Sequence, residues 1–303
     1  REHCDEKDSV VVFTASNYGI TTTSRTEWWF ALNPKEGLKK LALATWPSED
    51  PSRLPHIGAA RKPEPLGALS DKLAHFNGKL AALGREVSQV ELLAAKLYTG
   101  PMFIKYNAVL RGNGSSVEFL LKAFESSCQG NTYTTTIHAI NSCVVKMSQL
   151  TMASKVYRGN ADVALPDAFL TADEFGVKGG VEFGFMSSTR EAKVARHYAD
   201  RPGKMGLVFE IQQGMLSRGA DISWFSQYPH EKEVLFPPLT GLEVESNRVE
   251  GEKIVLQMRP NIHMGTRTIE EVIARRLTLL RDMSDGMKIE LASGAALAKR
   301  SPD

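Results

Sequence analysis

The sequence predicts an α+β fold, on three observations. Its 303 residues, with an ordinary soluble composition, suffice for one large domain or one medium domain with an appendage. Helix caps and helical spacing fill residues 70–150, while strand patterns fill residues 155–258. Helices first and strands later, rather than in alternation, give separate helical and sheet regions.

Taken in order, residues 1 to about 65 carry weak signals. Val10-Val11-Val12-Phe13 and Leu41-Ala42-Leu43 read as short strands, and Trp28-Trp29-Phe30 reads as a packing cluster. Five prolines from Pro47 to Pro65, with Arg53, Arg61 and Lys62 among them, read as a linker or wrapping loop. Ser70 is placed to cap a helix running to about Leu83, and Ser88 with Glu91 forms a capping box for one carrying Val90, Leu93 and Leu97. Gly100-Pro101 ends that helix and opens the next, which closes near Gly112 with a turn at Asn113-Gly114. Ser115 and Glu118 repeat the capping pattern before Phe119–Phe124, and a further helix is expected over 136–150.

The second half reads as strands. Lys155–Gly159 is a strand ending in a glycine, a short helix follows near Asp167, and Val181–Met186 is an alternating strand that stops at Ser187-Ser188-Thr189. Thr189 or its neighbour caps a helix through Ala199. Further strands are expected at 206–212, 233–236, 242–245 and 253–258. Beyond Pro260, Ile269, Val272, Ile273, Leu277 and Leu280 make one apolar helix face, suited to docking on the main body. The expected division is therefore an N-terminal extension of unknown role at 1–67, a main domain at 68–262 and a C-terminal helical extension at 263–303.

Composition narrows the function classes. A formal charge of +2 gives no argument for a nucleic-acid or membrane partner, and no apolar run approaches a membrane span. Cys4, Cys128 and Cys143 are odd in number and lack C-x-x-C spacing, so neither a disulfide framework nor a zinc site is suggested, and a reducing setting such as the cytoplasm is expected. The opening Arg1-Glu2-His3-Cys4, without an initiating Met or a signal-like core, reads as a piece of a longer protein. His197 and His230 have no second ligand at metal spacing, so no metal is expected.

Three chemical signals fall at successive strand ends. Arg158 stands beside Gly159, and its planar fork suits a pyrophosphate. Ser187-Ser188-Thr189 is a hydroxyl run, which alone is usually a cap. Gln227–Pro238 is a polar loop entering an apolar strand, and it carries Glu231-Lys232-Glu233. Extended residues two apart share a face, so both glutamates reach one cleft if the strand starts early. Alone, Glu-Lys-Glu reads more readily as a solvated turn.

Those residues, in that order, resemble the mono-ADP-ribosyltransferases of the arginine-serine-glutamate class, which includes clostridial binary toxins and vertebrate ecto-enzymes. Arg158 matches the first motif, Phe185-Met186-Ser187-Ser188-Thr189 the Ser-Thr-Ser motif, and Glu231-Lys232-Glu233 the Glu-x-Glu motif. Leu97-Tyr98-Thr99-Gly100 and Tyr106–Arg111 resemble its helical lobe, and the resemblance covers about residues 68–260. The triplet's second and third residues depart from Ser-Thr-Ser, but Ser187, the member that the family uses, is in place.

The resemblance implies two antiparallel sheets meeting around an NAD cleft, with a helical lobe to one side. It implies that Arg158 holds the NAD phosphates, the Gly159 backbone binds the nicotinamide amide, Ser187 orients Glu233, and Ser188 joins the cofactor-binding set. Tyr198 and Arg201, eleven and fourteen residues past Ser187, fall where the family places an aromatic against nicotinamide and a second phosphate-binding Arg. Tyr198 also reads as a core residue of its helix. Tyr228 falls where the family often contacts the protein acceptor. Glu231, where enzymes with other acceptors usually carry Gln, implies an arginine on a protein partner. A poly-ADP-ribose polymerase is disfavoured, since that class has His where Arg158 stands. An NAD glycohydrolase and a non-catalytic NAD-binding module are the alternatives.

Overall fold

The computed structural model describes residues 10–12, 21–32, 64–161, 165–174, 176–262 and 268–270, with single positions at 277, 280, 281, 284 and 288. The chain forms two compact units, Arg1–Thr266 and Arg267–Asp303. In the second, positions 269, 270, 277, 280, 281, 284 and 288 are helical, in line with the apolar periodicity there. The expected strand at 41–43 and most of the proline-rich segment lie outside the described residues.

In the first unit a two-stranded ribbon, β1 (Val10–Val12) and β2 (Thr21–Thr23), leads into α1 (Ser24–Leu32). Trp28 sits in this helix, half-buried, with Ala31 fully buried. Lys105 donates to the Ser24 hydroxyl at 2.9 Å, which ties α1 to the helices that follow. Those are α2 (Ser70–Ala81), α3 (Gln89–Leu97), α4 (Phe103–Gly112), α5 (Glu118–Cys128) and α6 (Thr134–Ser148).

The caps decide the boundaries. Ser88 and Glu91 make the expected capping box, with the Glu91 amide donating to Ser88 Oγ at 3.2 Å and the Ser88 amide to Glu91 Oε2 at 2.7 Å. Glu91 also accepts two bonds from Lys146 Nζ, at 2.7 and 2.9 Å, so a buried ion pair joins α3 to α6. Ser70 differs from its expected role. A 3₁₀ turn at Leu66–Leu69 precedes it, and its hydroxyl donates to Gly67 O instead of capping α2. Ser115 likewise accepts from the Val117 amide within a turn, and α5 begins only at Glu118.

The expected two antiparallel sheets are instead one hydrogen-bonded sheet. Its strands are β3 (Lys155–Ala161), β4 (Gly179–Glu182), β5 (Met186–Thr189), β6 (Gly206–Gln212), β7 (Ala220–Asp221), β8 (Glu233–Phe236), β9 (Thr240–Glu250) and β10 (Lys253–Ile262). Their order is β4-β9-β10-β6-β3-β5-β8-β7. One pair, β10 with β6, is parallel. The physical reason is a narrow junction: β3 and β5 pair only at Tyr157 opposite Thr189. On one side β3 pairs with β6 along its whole length, and on the other β5 pairs with β8 at four positions. The sheet thus opens where Arg158 and Ser187 sit.

The single strand expected over 181–186 is two strands broken at Phe183-Gly184-Phe185. The Phe185 backbone leaves the ladder because Asn107 and Tyr98 of the helical lobe satisfy it: its amide donates to Asn107 Oδ1 at 2.8 Å, and its carbonyl accepts from Asn107 Nδ2 and Tyr98 Oη, each at 3.3 Å. A Cβ on Gly184 would lie 2.9 Å from Asn107 Oδ1. This break lets β4 join β9 while β5 crosses to β8.

One face of the sheet carries Val156, Met186, Leu207, Phe209, Ile211, Val234, Phe236 and Leu256, all buried. Alternation puts Val208 on the opposite face, with Val255 and Ala199. After a four-residue helix, α7 (Asp167–Leu170), comes α8 (Ala192–Tyr198), which lies directly on β3 on that face. A Cβ on Gly159 would stand 1.7 Å from Ala195 O and 2.6 Å from Ala195 C, so backbone meets backbone. Gly159→Ala is expected to push α8 outward and cost at least about 1–3 kcal/mol in stability. Urea unfolding checks this, and an unchanged midpoint would contradict it.

Candidate active site

The open junction of the sheet forms a cleft of about 230 Å³ between β3, β5, β8, α8 and the turn that follows α3. Arg158, Gly159, Ser187, Ser188, Tyr198, Tyr228, Glu231 and Glu233 all line it. Arg201 does not; it is exposed in the turn after α8. Tyr228 is buried in the lining rather than displayed on the surface, with its ring edge-on to His230.

Each side chain is placed by its own local bonds. Arg158 projects from β3 and donates through Nη1 to Ser187 O at 2.8 Å, which bridges the gap where the ladder thins. Burial pulls the Arg158 pKa down, and the Glu182 carboxylate opposes that shift. Glu182 is in turn held by a two-pronged bond from Arg111, at 2.8 and 3.0 Å. Burial pushes Glu182 up, yet Arg111 and Arg158 together hold it below the usual carboxylate range. Arg111 and Glu182 thus set the field around Arg158 from outside the cleft.

The hydroxyl triplet lies inside β5 rather than after it, and its three members have separate partners. The Ser187 hydroxyl acts on the Glu233 carboxylate and pulls its pKa down. Ser188 Oγ donates to Val234 O at 2.7 Å, locking β5 to β8. Thr189 Oγ1 donates to Glu231 O at 2.6 Å and accepts from the Glu191 amide at 3.0 Å. Threonine at the third position therefore ties the glutamate loop to the start of α8.

The two glutamates reach the cleft by a different route from the expected extended strand. Pro229–Glu231 is a 3₁₀ turn, Lys232 takes the left-handed conformation with φ 46°, and Glu233 is the first residue of β8. A non-glycine residue at positive φ is uncommon and needs support. Lys232 receives it from a salt bridge to Glu191 and from a bond between the Arg190 amide and its carbonyl. Upstream, Gln227 is fully buried and joins the loop to the helical lobe, its amide donating to Thr99 Oγ1 at 3.0 Å and its side chain to Lys96 O at 2.9 Å.

Glu233 is 7 % exposed. Burial, and then the neighbouring Glu231 charge, raise its pKa to about 8, while the Ser187 hydroxyl and the Arg158 guanidinium pull it back. A buried carboxylate with this much perturbation in a cleft marks a candidate catalytic group. Glu231 is less buried, and its Oε1 accepts from Tyr198 Oη at 2.7 Å.

The sequence reading passed over Tyr98, Thr99, Gly100, Pro101, Phe103, Tyr157 and Asn160 as lining residues. Tyr98 is buried, and burial together with Glu233 pushes its pKa up. The signals for this wall in the sequence were the Leu97–Gly100 stretch and the helix break at Gly100-Pro101, which produces the π-turn Tyr98–Met102 facing the cleft.

The residues fit a dinucleotide. Among the described bonds Arg158 uses Nη1 alone, leaving a guanidinium fork toward the cleft, which Gly159 also lines. The rings of Tyr98, Phe103 and Tyr157 supply flat apolar walls. Arg158→Lys is expected to weaken NAD binding roughly tenfold to a hundredfold, because a point charge replaces the fork. Titration calorimetry on the folded variant measures this, and wild-type affinity would remove Arg158 from the site. Among the described residues, no group of three or more His, Cys, Asp or Glu is arranged to hold a metal, and no helix is long and apolar enough to cross a membrane.

No curated protein sequence matches the chain. Solved structures do. HopU1 of Pseudomonas syringae pv. Tomato DC3000, an ADP-ribosyltransferase, is 22% identical with a TM-score of 0.47 and covers 65% of this chain and 88% of its own. Vis toxin, an ADP-ribosyltransferase from Vibrio splendidus, is 16% identical with a TM-score of 0.43, covering 67% and 85%. Exoenzyme S from Pseudomonas aeruginosa, in complex with human 14-3-3 protein beta and bound to carba-NAD, is 19% identical with a TM-score of 0.42, covering 69% and 96%. The family model for NAD:arginine ADP-ribosyltransferases matches residues 67–264, more than half of the chain. With that match over the cleft and everything that frames it, the chain belongs to the NAD:arginine ADP-ribosyltransferase family, and NAD is its co-substrate.

Proposed function

We propose that the protein is an arginine-specific mono-ADP-ribosyltransferase, which moves ADP-ribose from NAD to arginine side chains of a protein acceptor and releases nicotinamide. The observation that carries this reading is that Glu231 and Glu233 reach one cleft with different environments, Glu233 buried and Glu231 more open. Two carboxylates whose surroundings push them apart take separate roles.

As the bond between nicotinamide and ribose breaks, its electron pair leaves with nicotinamide and positive charge builds at the anomeric carbon. In its ionised form Glu233, beside the Ser187 hydroxyl, stabilises that charge more in the transition state than in the ground state. Arg158 fixes the phosphates so that the reacting carbon stays beside Glu233. The acceptor guanidinium is a poor nucleophile while protonated, since its pKa lies above about 12. Glu231 orients it and takes one of its protons as nitrogen bonds to the anomeric carbon.

Residues 68–262 form the catalytic domain in this reading, with 1–67 and 263–303 as extensions. Cys128 and Cys143 are buried, and a reducing compartment belongs to this reading. The test incubates the protein with labelled NAD and a mixture of candidate protein acceptors, then separates free from protein-linked ADP-ribose. Protein-linked label is the expected product. Free ADP-ribose alone would point to a glycohydrolase, and no turnover to a binding module.

A further inference from the structure

We propose that the Tyr198 hydroxyl is a positioning group for Glu231, and so a determinant of transfer to arginine over transfer to water. The inference rests on the arginine-transferase reading of the cleft and assigns within it a residue that the resemblance placed against nicotinamide instead.

Three of the described bonds hold Glu231, each from a different element. Its amide donates to Tyr228 O at 3.1 Å within the 3₁₀ turn, and its carbonyl accepts from Thr189 Oγ1 at 2.6 Å from β5. These two bonds hold the backbone and do not reach the carboxylate. The third is Tyr198 Oη to Glu231 Oε1 at 2.7 Å, from the last residue of α8, and it fixes the carboxylate.

Tyr198 is in turn a firm anchor. Because Gly159 lets the Ala195 carbonyl sit against β3, α8 cannot slide along the strand without a backbone clash, and the end of the helix is held over the cleft. Tyr198 is 37% exposed and its bond to Glu231 is exposed, so it lies at the mouth of the cleft rather than in the buried part beside Glu233. A rotating carboxylate at 3–4 Å from its target loses most of the advantage of a fixed one, because a bidentate carboxylate–guanidinium contact needs both oxygens in plane. Water makes no such demand. Loss of the Tyr198 hydroxyl therefore falls more heavily on arginine transfer than on hydrolysis.

The experiment compares wild type, Tyr198→Phe, Glu231→Gln and the double variant, with NAD and an arginine-containing peptide, recording nicotinamide release and peptide labelling together. Tyr198→Phe keeps the ring and removes only the hydroxyl. Expected is a transfer-to-hydrolysis ratio lowered roughly three- to thirtyfold, arginine transfer falling more than hydrolysis. The double variant should match Glu231→Gln alone, since the hydroxyl then has no carboxylate to place. An unchanged ratio in Tyr198→Phe overturns the proposal. So does a raised KM for NAD with transfer and hydrolysis lowered equally, which would assign the hydroxyl to the cofactor. If wild type itself labels no arginine, the arginine reading falls and this role falls with it; if wild type labels arginine, the ratio alone decides.

Discussion

Glu233→Gln is expected to abolish nicotinamide release, whether the acceptor is arginine or water, lowering both by at least about a hundredfold to a thousandfold. The change keeps the size and hydrogen-bonding capacity of the side chain and removes only the charge that meets the developing cation. A second, independent effect goes the other way. The folded pKa of about 8 lies above the unfolded carboxylate value near 4.3, so the folded state holds this proton more tightly than the unfolded state does. The stability that the proton contributes is complete below the unfolded value and is lost as pH rises toward 8. Glu233→Gln lacks that loss, and so should be more stable than wild type at pH 9, by roughly 2–4 kcal/mol, with a much smaller gap at pH 4. Urea unfolding at the two pH values measures it. A variant that is inactive and equally stable at both would leave Glu233 catalytic but refute the electrostatic account of its burial.

Glu231→Gln is expected to separate the two activities. Arginine labelling should fall at least about a hundredfold, because no group remains to take the guanidinium proton, while NAD hydrolysis persists. The same substitution removes a negative charge that raises the pKa of Glu233. The acid limb of the hydrolysis profile in kcat/KM, which reports the free enzyme, should then move to lower pH, so that the variant hydrolyses NAD relatively better than wild type near pH 6. Nicotinamide release measured from pH 5 to 9 for both proteins checks this. Loss of hydrolysis as complete as in Glu233→Gln, or an acid limb that does not move, would contradict the division of roles.

Much of this was legible in the sequence because the signals are local. The Ser88–Glu91 box, the Asn113-Gly114 turn and the strand at 206–212 each depend on neighbours in the chain, and each appears where expected. The order of Arg158, Ser187, Glu231 and Glu233 along the chain was equally plain. What was not legible is set by contacts between distant segments. The split of 179–189 into two strands depends on Asn107 bonding the Phe185 backbone from 78 residues away. The single continuous sheet depends on one pairing, Tyr157 with Thr189. Gly159 reads as a place for close approach, and the structure shows that what approaches is the α8 backbone. The Glu-x-Glu spacing suggested period-two geometry, whereas a left-handed Lys232 produces the same convergence. Tyr198 read as either core or cofactor contact, and its hydrogen bond to Glu231, 33 residues further on, has no counterpart in sequence spacing.

The central claim, transfer of ADP-ribose to arginine, is tested most directly by mapping the product. An acceptor protein is incubated with the enzyme and NAD, digested, and sequenced by mass spectrometry under fragmentation that keeps ADP-ribose on its residue. The account predicts single ADP-ribose units on arginine side chains, present with wild type and absent with Glu231→Gln. Single units on asparagine, glutamate, cysteine or serine, with arginines unmodified, would contradict it.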